Sequence, residues 1–329
     1  MKYYTGVITI LLVLALAFFE NADAQTREDV VNKFNEGFEL VQAGEDLAAI
    51  EVFEETIQMA EALGSEGDDI KARVEGQIPQ LYFRYAANHY RAGNVDEAIE
   101  AFRETVENAE KYGDENTKAR AEGNMPRLYL SKGNQLYRNE NFNGALEAYN
   151  NALELNSNYP QAVYQKGLVY RQLNDIDNAL SQFDQAIDMA LNAGNTNLVD
   201  QASSSARDYL IYQGVNRIED ENFNSAVELL QRALTYDDQS SEAYYRLAVA
   251  HNNLGNWDQA IANGTRAVEY ETDGRTDQAK IWFEIGIAYK NQENEPQACE
   301  AFTNAAYGSF QASAEHELEF ELDCDPATR

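Results

Sequence analysis

The chain has 329 residues, a hydrophobic content of 44% and a net charge of −31 at pH 7. That apolar fraction supports a packed core and excludes a wholly disordered chain. So acidic a surface repels nucleic acid phosphates and anionic lipids, which removes both from the expected partners. Five prolines against plentiful Ala, Glu, Asn, Gln and Leu favour helix over sheet.

In chain order, the first segment reads as an export signal. Lys2 gives a positive start, residues 7–19 are apolar, and Ala22-Asp23-Ala24 meets the small-x-small cleavage rule. The apolar run is shorter than the roughly 20 residues needed to span a bilayer, which disfavours a membrane anchor. Residues 1–24 are therefore expected to be a cleaved signal peptide, and the mature protein to be exported, periplasmic or extracellular. No cysteine stands near the cleavage site to carry a lipid. No later segment is apolar enough to cross a membrane.

From residue 30 onward one arrangement recurs. A small anchor (Gly37, Ala86, Gly133, Gly167, Gly214, Ala248, Gly286) is followed twelve residues later by an alanine (Ala49, Ala98, Ala145, Ala179, Ala226, Ala260, Ala298). Four further on stand Phe53, Phe102, Tyr149, Phe183, Leu230, Gly264 and Phe302. A turn such as QAGED, RAGNV, QLNDI or NLGNW separates the two halves, so each unit reads as a pair of helices. Alanine lets two backbones approach, and the bulky residue one helical turn on fills the remaining gap. A single pair cannot bury its apolar faces, so copies must stack. In the last copy, Trp282, Ile285, Gly286, Tyr289, Ala298 and Phe302 follow the pattern W-x-x-L-G-x-x-Y then A-x-x-x-F, with Ile for Leu. On these residues the chain resembles tetratricopeptide repeat (TPR) proteins over most of 30–308. The resemblance implies an all-α, right-handed solenoid of about seven helix pairs, with an array over 25–308 and a capping helix and tail over 309–329.

Anchor spacing is 34 residues in two intervals, 38 in one, and 47 or 49 in three. The long intervals predict two extra turns on each flanking helix around a glycine-containing tip, with Pro79 and Pro126 where the following helix bends or restarts. Stretches at 132–155 and 213–236 that echo one another (a Gly, an NFN turn and two alanines in register) lie 81 residues apart, one 34 plus one 47, and read as a duplicated two-repeat module. After the seventh copy, Ala314, Leu318 and Leu322 suit a helix that covers the exposed end. Cys299 and Cys324 could be bridged there or stand as one buried and one exposed thiol.

No convergent catalytic set appears: no H-E-x-x-H, C-x-x-C, G-x-S-x-G or phosphate-loop pattern occurs. His89, His251 and His316 are scattered, and the acidic pairs Asp68-Asp69 and Asp237-Asp238 lack calcium-loop spacing. The expectation is a non-enzyme with no metal and no cofactor. Charge placement is more informative. In TPR proteins the first helices line the concave side, and the first-helix windows of repeats two to four hold Arg84, Arg91, Arg127, Lys132, Arg138, Lys166 and Arg171 with no acid. Family facing directs Phe83, Tyr90, Arg91, Asn134, Tyr137, Arg138, Tyr164 and Arg171 into the groove, and tyrosine with arginine is a composition that peptide-binding surfaces favour. The competing reading is that these cations pair with acids on neighbouring second helices. Leu130 and Tyr164 stand where the TPR carboxylate clamp requires lysine, so that specificity is not expected even though Asn134 fits. The partner is expected to be a protein or peptide held on the concave face. The alternative is a cell-envelope assembly protein that self-associates through extended helical arms.

Overall fold

A computed structural model describes residues 26–322 and 324; the expected signal segment lies outside them. The described residues form two compact units, one up to Ser157 and one from Asn158 onward. In the first unit α1 (Arg27–Ala43) pairs with α2 (Asp46–Ala62), α4 (Ile78–Ala92) with α5 (Val95–Lys111), and α6 (Glu115–Arg138) with α7 (Phe142–Leu155). A short helix, α3 (Asp68–Glu75), lies between the first two pairs. In the second unit the pairs are α8 (Pro160–Gln172) with α9 (Ile176–Asn192), α10 (Thr196–Glu219) with α11 (Phe223–Ala233), α12 (Ser241–Asn253) with α13 (Trp257–Tyr270), and α14 (Arg275–Asn291) with α15 (Glu295–Ala305). A six-residue helix, α16 (Gln311–His316), and a π turn over Glu317–Glu321 close that unit. The described residues contain no strand, and in each unit the pairs stack in chain order. Successive first helices approach one another directly, α4 with α6 in one unit and α8, α10, α12 and α14 in the other.

The anchor of each pair does what its size allows. Gly133 faces Tyr149, and a Cβ there would lie 2.5 Å from the ring's Cδ1. Phe53, Phe102, Tyr149, Phe183, Leu230 and Phe302 are all buried, and all but Phe102, whose anchor is Ala86, lie against the glycine sixteen residues earlier. Repeat six differs. Its anchor is Ala248, its partner position is Gly264, and the space is filled by Ile285 from α14 of the next repeat, 2.5 Å from where a Gly264 Cβ would stand.

The turn within each pair is equally regular. Seven residues after each anchor one residue is left-handed: Gly44, Gly93, Glu140, Asn174, Glu221, Gly255 and Glu293, with φ from 56° to 83°. The next N–H then reaches back to a carbonyl five residues earlier, as in Asn141 to Leu136 (2.9 Å) and Asn222 to Arg217 (2.8 Å). That closure satisfies carbonyls left open by the ending helix and demands the positive φ.

The long intervals resolve in two ways. After α2 the chain breaks into a 3-10 turn and the separate α3, and α4 restarts with Pro79 in its first turn, where a missing N–H is tolerated. Beyond α5 and α9, by contrast, α6 and α10 each run 24 residues without a break. Pro126 lies inside α6, so of the two expected outcomes, a bend or a restart, the restart does not occur there.

The end of the second unit is covered as its apolar spacing predicts, although by a short helix and a π turn in place of one regular helix. Ala314, Leu318 and Cys324 are buried against Phe302, with Trp282, Phe283 and Leu322 packed beside them. Cys299 and Cys324 form a disulfide with Cα atoms 5.9 Å apart. Lys290 Nζ adds ion pairs to Glu317 (2.6 Å) and Glu321 (3.1 Å).

Candidate partner-binding site

In the first unit the expected groove residues divide into those committed to the fold and those left available. Phe83 meets Phe102 edge-on at 5.4 Å, and the Arg120 guanidinium lies 4.1 Å from its ring centre, so it is part of the wall. Asn134 Oδ1 accepts a 2.8 Å bond from the Tyr149 hydroxyl. Burial pushes that hydroxyl's pKa well above its ordinary value, which keeps it a donor. Tyr137 packs on Phe142 at 5.8 Å. Tyr90 is half-buried, whereas Arg91 and Arg138 are exposed.

The cations divide in the same way. Arg84 is held by the buried Asp46 of α2 (Nε to Oδ1 2.7 Å) and by the Val41 carbonyl (3.1 Å), and Lys132 by Asp96 of α5 (2.7 Å). Both carboxylates sit on second helices of the preceding repeat, so these two cations are paired within the fold. Arg91 Nη1 donates to Asn88 Oδ1 at 2.6 Å. No carboxylate of the described residues lies within 4.0 Å of Arg91 or Arg138.

In the second unit Tyr164 leans on Phe183 at 5.9 Å and its hydroxyl lies 3.1 Å from Ser205 Oγ. Lys166 is half-buried, and burial lowers its pKa. Arg171 lines a cavity of 480 Å³ together with Asn174, Asp208, Tyr209, Tyr212 and Asn216. Tyr212 is 60% exposed. It stands on the first helix of repeat five, beyond the basic first-helix windows of repeats two to four that mark the groove in the sequence. Farther along this unit Glu284 on α14 is part-buried and accepts from Asn252 Nδ2 at 2.8 Å. Burial raises its pKa, while the Asn252 bond opposes that shift.

His89 and His251 are packing residues, whereas His316 is exposed. His89 sits edge-on to Tyr85 at 4.6 Å, and His251 is buried with a pKa lowered by that burial. Among the described residues no group of three or more His, Cys, Asp or Glu is placed to hold a metal. No helix among them is long and apolar enough to cross a membrane.

Tetratricopeptide repeat models match residues 80–111, 160–192 and 217–262, and a TPR repeat model matches 133–173. No curated protein matches the chain. Among solved structures, YrrB, described as a TPR protein with an unusual peptide-binding site, is 24% identical over 59% of this chain and 91% of its own, with a TM-score of 0.36. MamA from Desulfovibrio magneticus is 19% identical over 57% of this chain and 96% of its own (TM-score 0.37). A tetratricopeptide repeat protein from Parabacteroides merdae is 13% identical over 88% and 97% (TM-score 0.29). Helix pairs built on one anchor rule, four of whose segments match the repeat models, make this chain a tetratricopeptide repeat protein, with the fold of a protein-interaction scaffold.

Proposed function

We propose that the protein is an exported, non-enzymatic scaffold that captures extended, acidic segments of a partner protein on first-helix faces, those of repeats two and three in the first unit and that of repeat four in the second. The observation that carries this reading is the division among the cations. Arg84 and Lys132 are neutralised by carboxylates, while Arg91 and Arg138 in the first unit and Arg171 in the second have none within 4.0 Å. In a chain of net charge −31, cations left without an internal partner are placed for an external one. Tyr90 and Tyr164 lie on the same helices and supply aromatic contact area. The Cys299–Cys324 bridge fits an oxidising compartment and so supports export.

The test is capture of partners from native envelope extracts by the full chain and by the triple variant Arg91→Glu/Arg138→Glu/Arg171→Glu. The variant is expected to lose the partner while keeping its helical circular dichroism and melting temperature. Unchanged capture refutes the reading. One observation favours assembly through the arms instead: Leu191, near the end of α9 beside the long α10, is 58% exposed. A stable oligomer in light scattering without ligand, dispersed by Leu191→Glu, would establish that second reading.

A further inference from the structure

The cavity at the α8–α10 junction has a composition that identifies what it takes. Its cation, Arg171, has no carboxylate within 4.0 Å in its unit. Its one acid, Asp208, is engaged by Arg207 (Nε to Oδ1 2.8 Å), which also holds Asp237 at 2.8 Å. The cavity's own carboxylate is thus held by Arg207 through Oδ1 and lies more than 4.0 Å from the charged nitrogens of Arg171. The rear wall is fixed. Asn174, left-handed at φ 57°, accepts from Gln213 Nε2 (2.6 Å) and from the Tyr209 hydroxyl (3.3 Å) through one Oδ1. On the open side Tyr212 holds a mostly solvent-exposed ring. A planar guanidinium takes a carboxylate by paired hydrogen bonds, and an exposed ring on a rigid helix takes an apolar side chain at small entropic loss. The volume of 480 Å³ is more than one carboxylate fills.

We infer that this cavity is a side-chain pocket for an acidic residue within an extended segment, with an apolar or aromatic residue two positions away laid on Tyr212. Residues i and i+2 of an extended chain share one side, so a Glu-x-Phe arrangement presents both groups together. The inference rests on the scaffold reading above and adds the sequence class that this unit selects.

The experiment uses the full chain and acetylated, amidated eight-residue peptides, with binding read by calorimetry. The first carries Glu-Gly-Phe between glycine and serine flanks. Two controls replace its Glu by Gln or its Phe by Ala, and a third carries Gln-Gly-Phe with a free C-terminal carboxylate. The Glu-Gly-Phe peptide is expected to bind roughly tenfold to a hundredfold more tightly than its Gln control, the range for a hydrogen bond to a charged group. Arg171→Gln should abolish that difference, Arg171→Lys should restore part of it, and Tyr212→Ala should remove the preference for Phe. Melting temperatures should not move. Equal binding of the Glu and Gln peptides, a difference that survives Arg171→Gln, binding of the free-carboxylate peptide alone, or no binding at millimolar peptide each overturn the inference. The scaffold reading is tested apart from it by Arg91→Glu/Arg138→Glu, which leaves this cavity intact and should still weaken capture of the native partner.

Discussion

Two alanine substitutions in one helix are expected to act in opposite directions. Gly123 and Gly133 both lie inside α6. A Cβ at Gly123 meets nothing within 4 Å, so Gly123→Ala should collect the helix propensity gain of about 0.5–1 kcal/mol and little else. At Gly133 the same Cβ would stand 2.5 Å from Tyr149 Cδ1 and 2.8 Å from Cζ. Carbon atoms rest at about 3.5 Å or more, so the ring would have to retreat by roughly 1 Å. It has nowhere easy to go: Tyr149 is fully buried and its hydroxyl is tied to Asn134 at 2.8 Å. Overpacking of this kind costs about 1–3 kcal/mol, and the propensity gain of about 0.5–1 kcal/mol offsets part of it, leaving Gly133→Ala less stable by up to about 2.5 kcal/mol. Guanidinium denaturation followed at 222 nm, with amide exchange in α6 and α7 to localise the change, reads both. Should the two variants shift stability in the same direction and by the same amount, the anchor-and-ring account of the repeat is wrong.

Three further outcomes are expected. Glutamates 140, 221 and 293 occupy left-handed turns, and Glu140→Gly, Glu221→Gly and Glu293→Gly should each raise stability by about 0.5–1 kcal/mol, while Gly93→Ala should lower it by a similar amount in the same denaturation assay. The Cys299–Cys324 bridge spans a sequence separation of 25, for which loop closure gives about 3–4 kcal/mol; Cys299→Ser/Cys324→Ser should speed amide exchange over Gln311–Glu321 while that of α10 stays unchanged. Burial raises the Glu284 pKa, so the stability this residue supplies is present below the ordinary carboxylate range and is lost as pH rises through its folded-state value. Glu284→Gln, whose amide can still accept from Asn252, should therefore exceed the wild type in denaturation midpoint at pH 7.5, and the two should converge near pH 4; a constant gap across pH would refute the assignment.

The repeat was legible because its grammar is local. Small anchor, alanine at twelve and bulk at sixteen are set by helical periodicity and appear in the sequence as they appear in space. The left-handed position was only half visible. Gly44, Gly93, Gly255 and Asn174 announce it, whereas Glu140, Glu221 and Glu293 do not, since glutamate has no preference for that backbone and adopts it because the hydrogen-bonded turn closes around it. Interval length alone could not separate the broken α3–α4 arrangement from the unbroken α6, because both intervals carry a glycine and a proline and differ in where the proline falls within the helix. Nor could the sequence sort the cations. Arg84 and Arg91 look alike until Asp46 of α2 is placed beside the first and only Asn88 beside the second. Family facing directs Asn134 and Phe83 into the groove, but Tyr149 and Arg120 engage them.

The exchange at Gly264 alters how the second unit should come apart. Where a repeat supplies both the gap and its filling, it keeps that energy to itself; repeat six leaves the gap open and takes Ile285 from its successor. In a linear chain of coupled elements this moves free energy from the individual link to the joint between links. Repeats six and seven should therefore melt as one block, and a nick that detaches α14 should leave α13 exchanging its amides as freely as an unfolded strand of the same sequence.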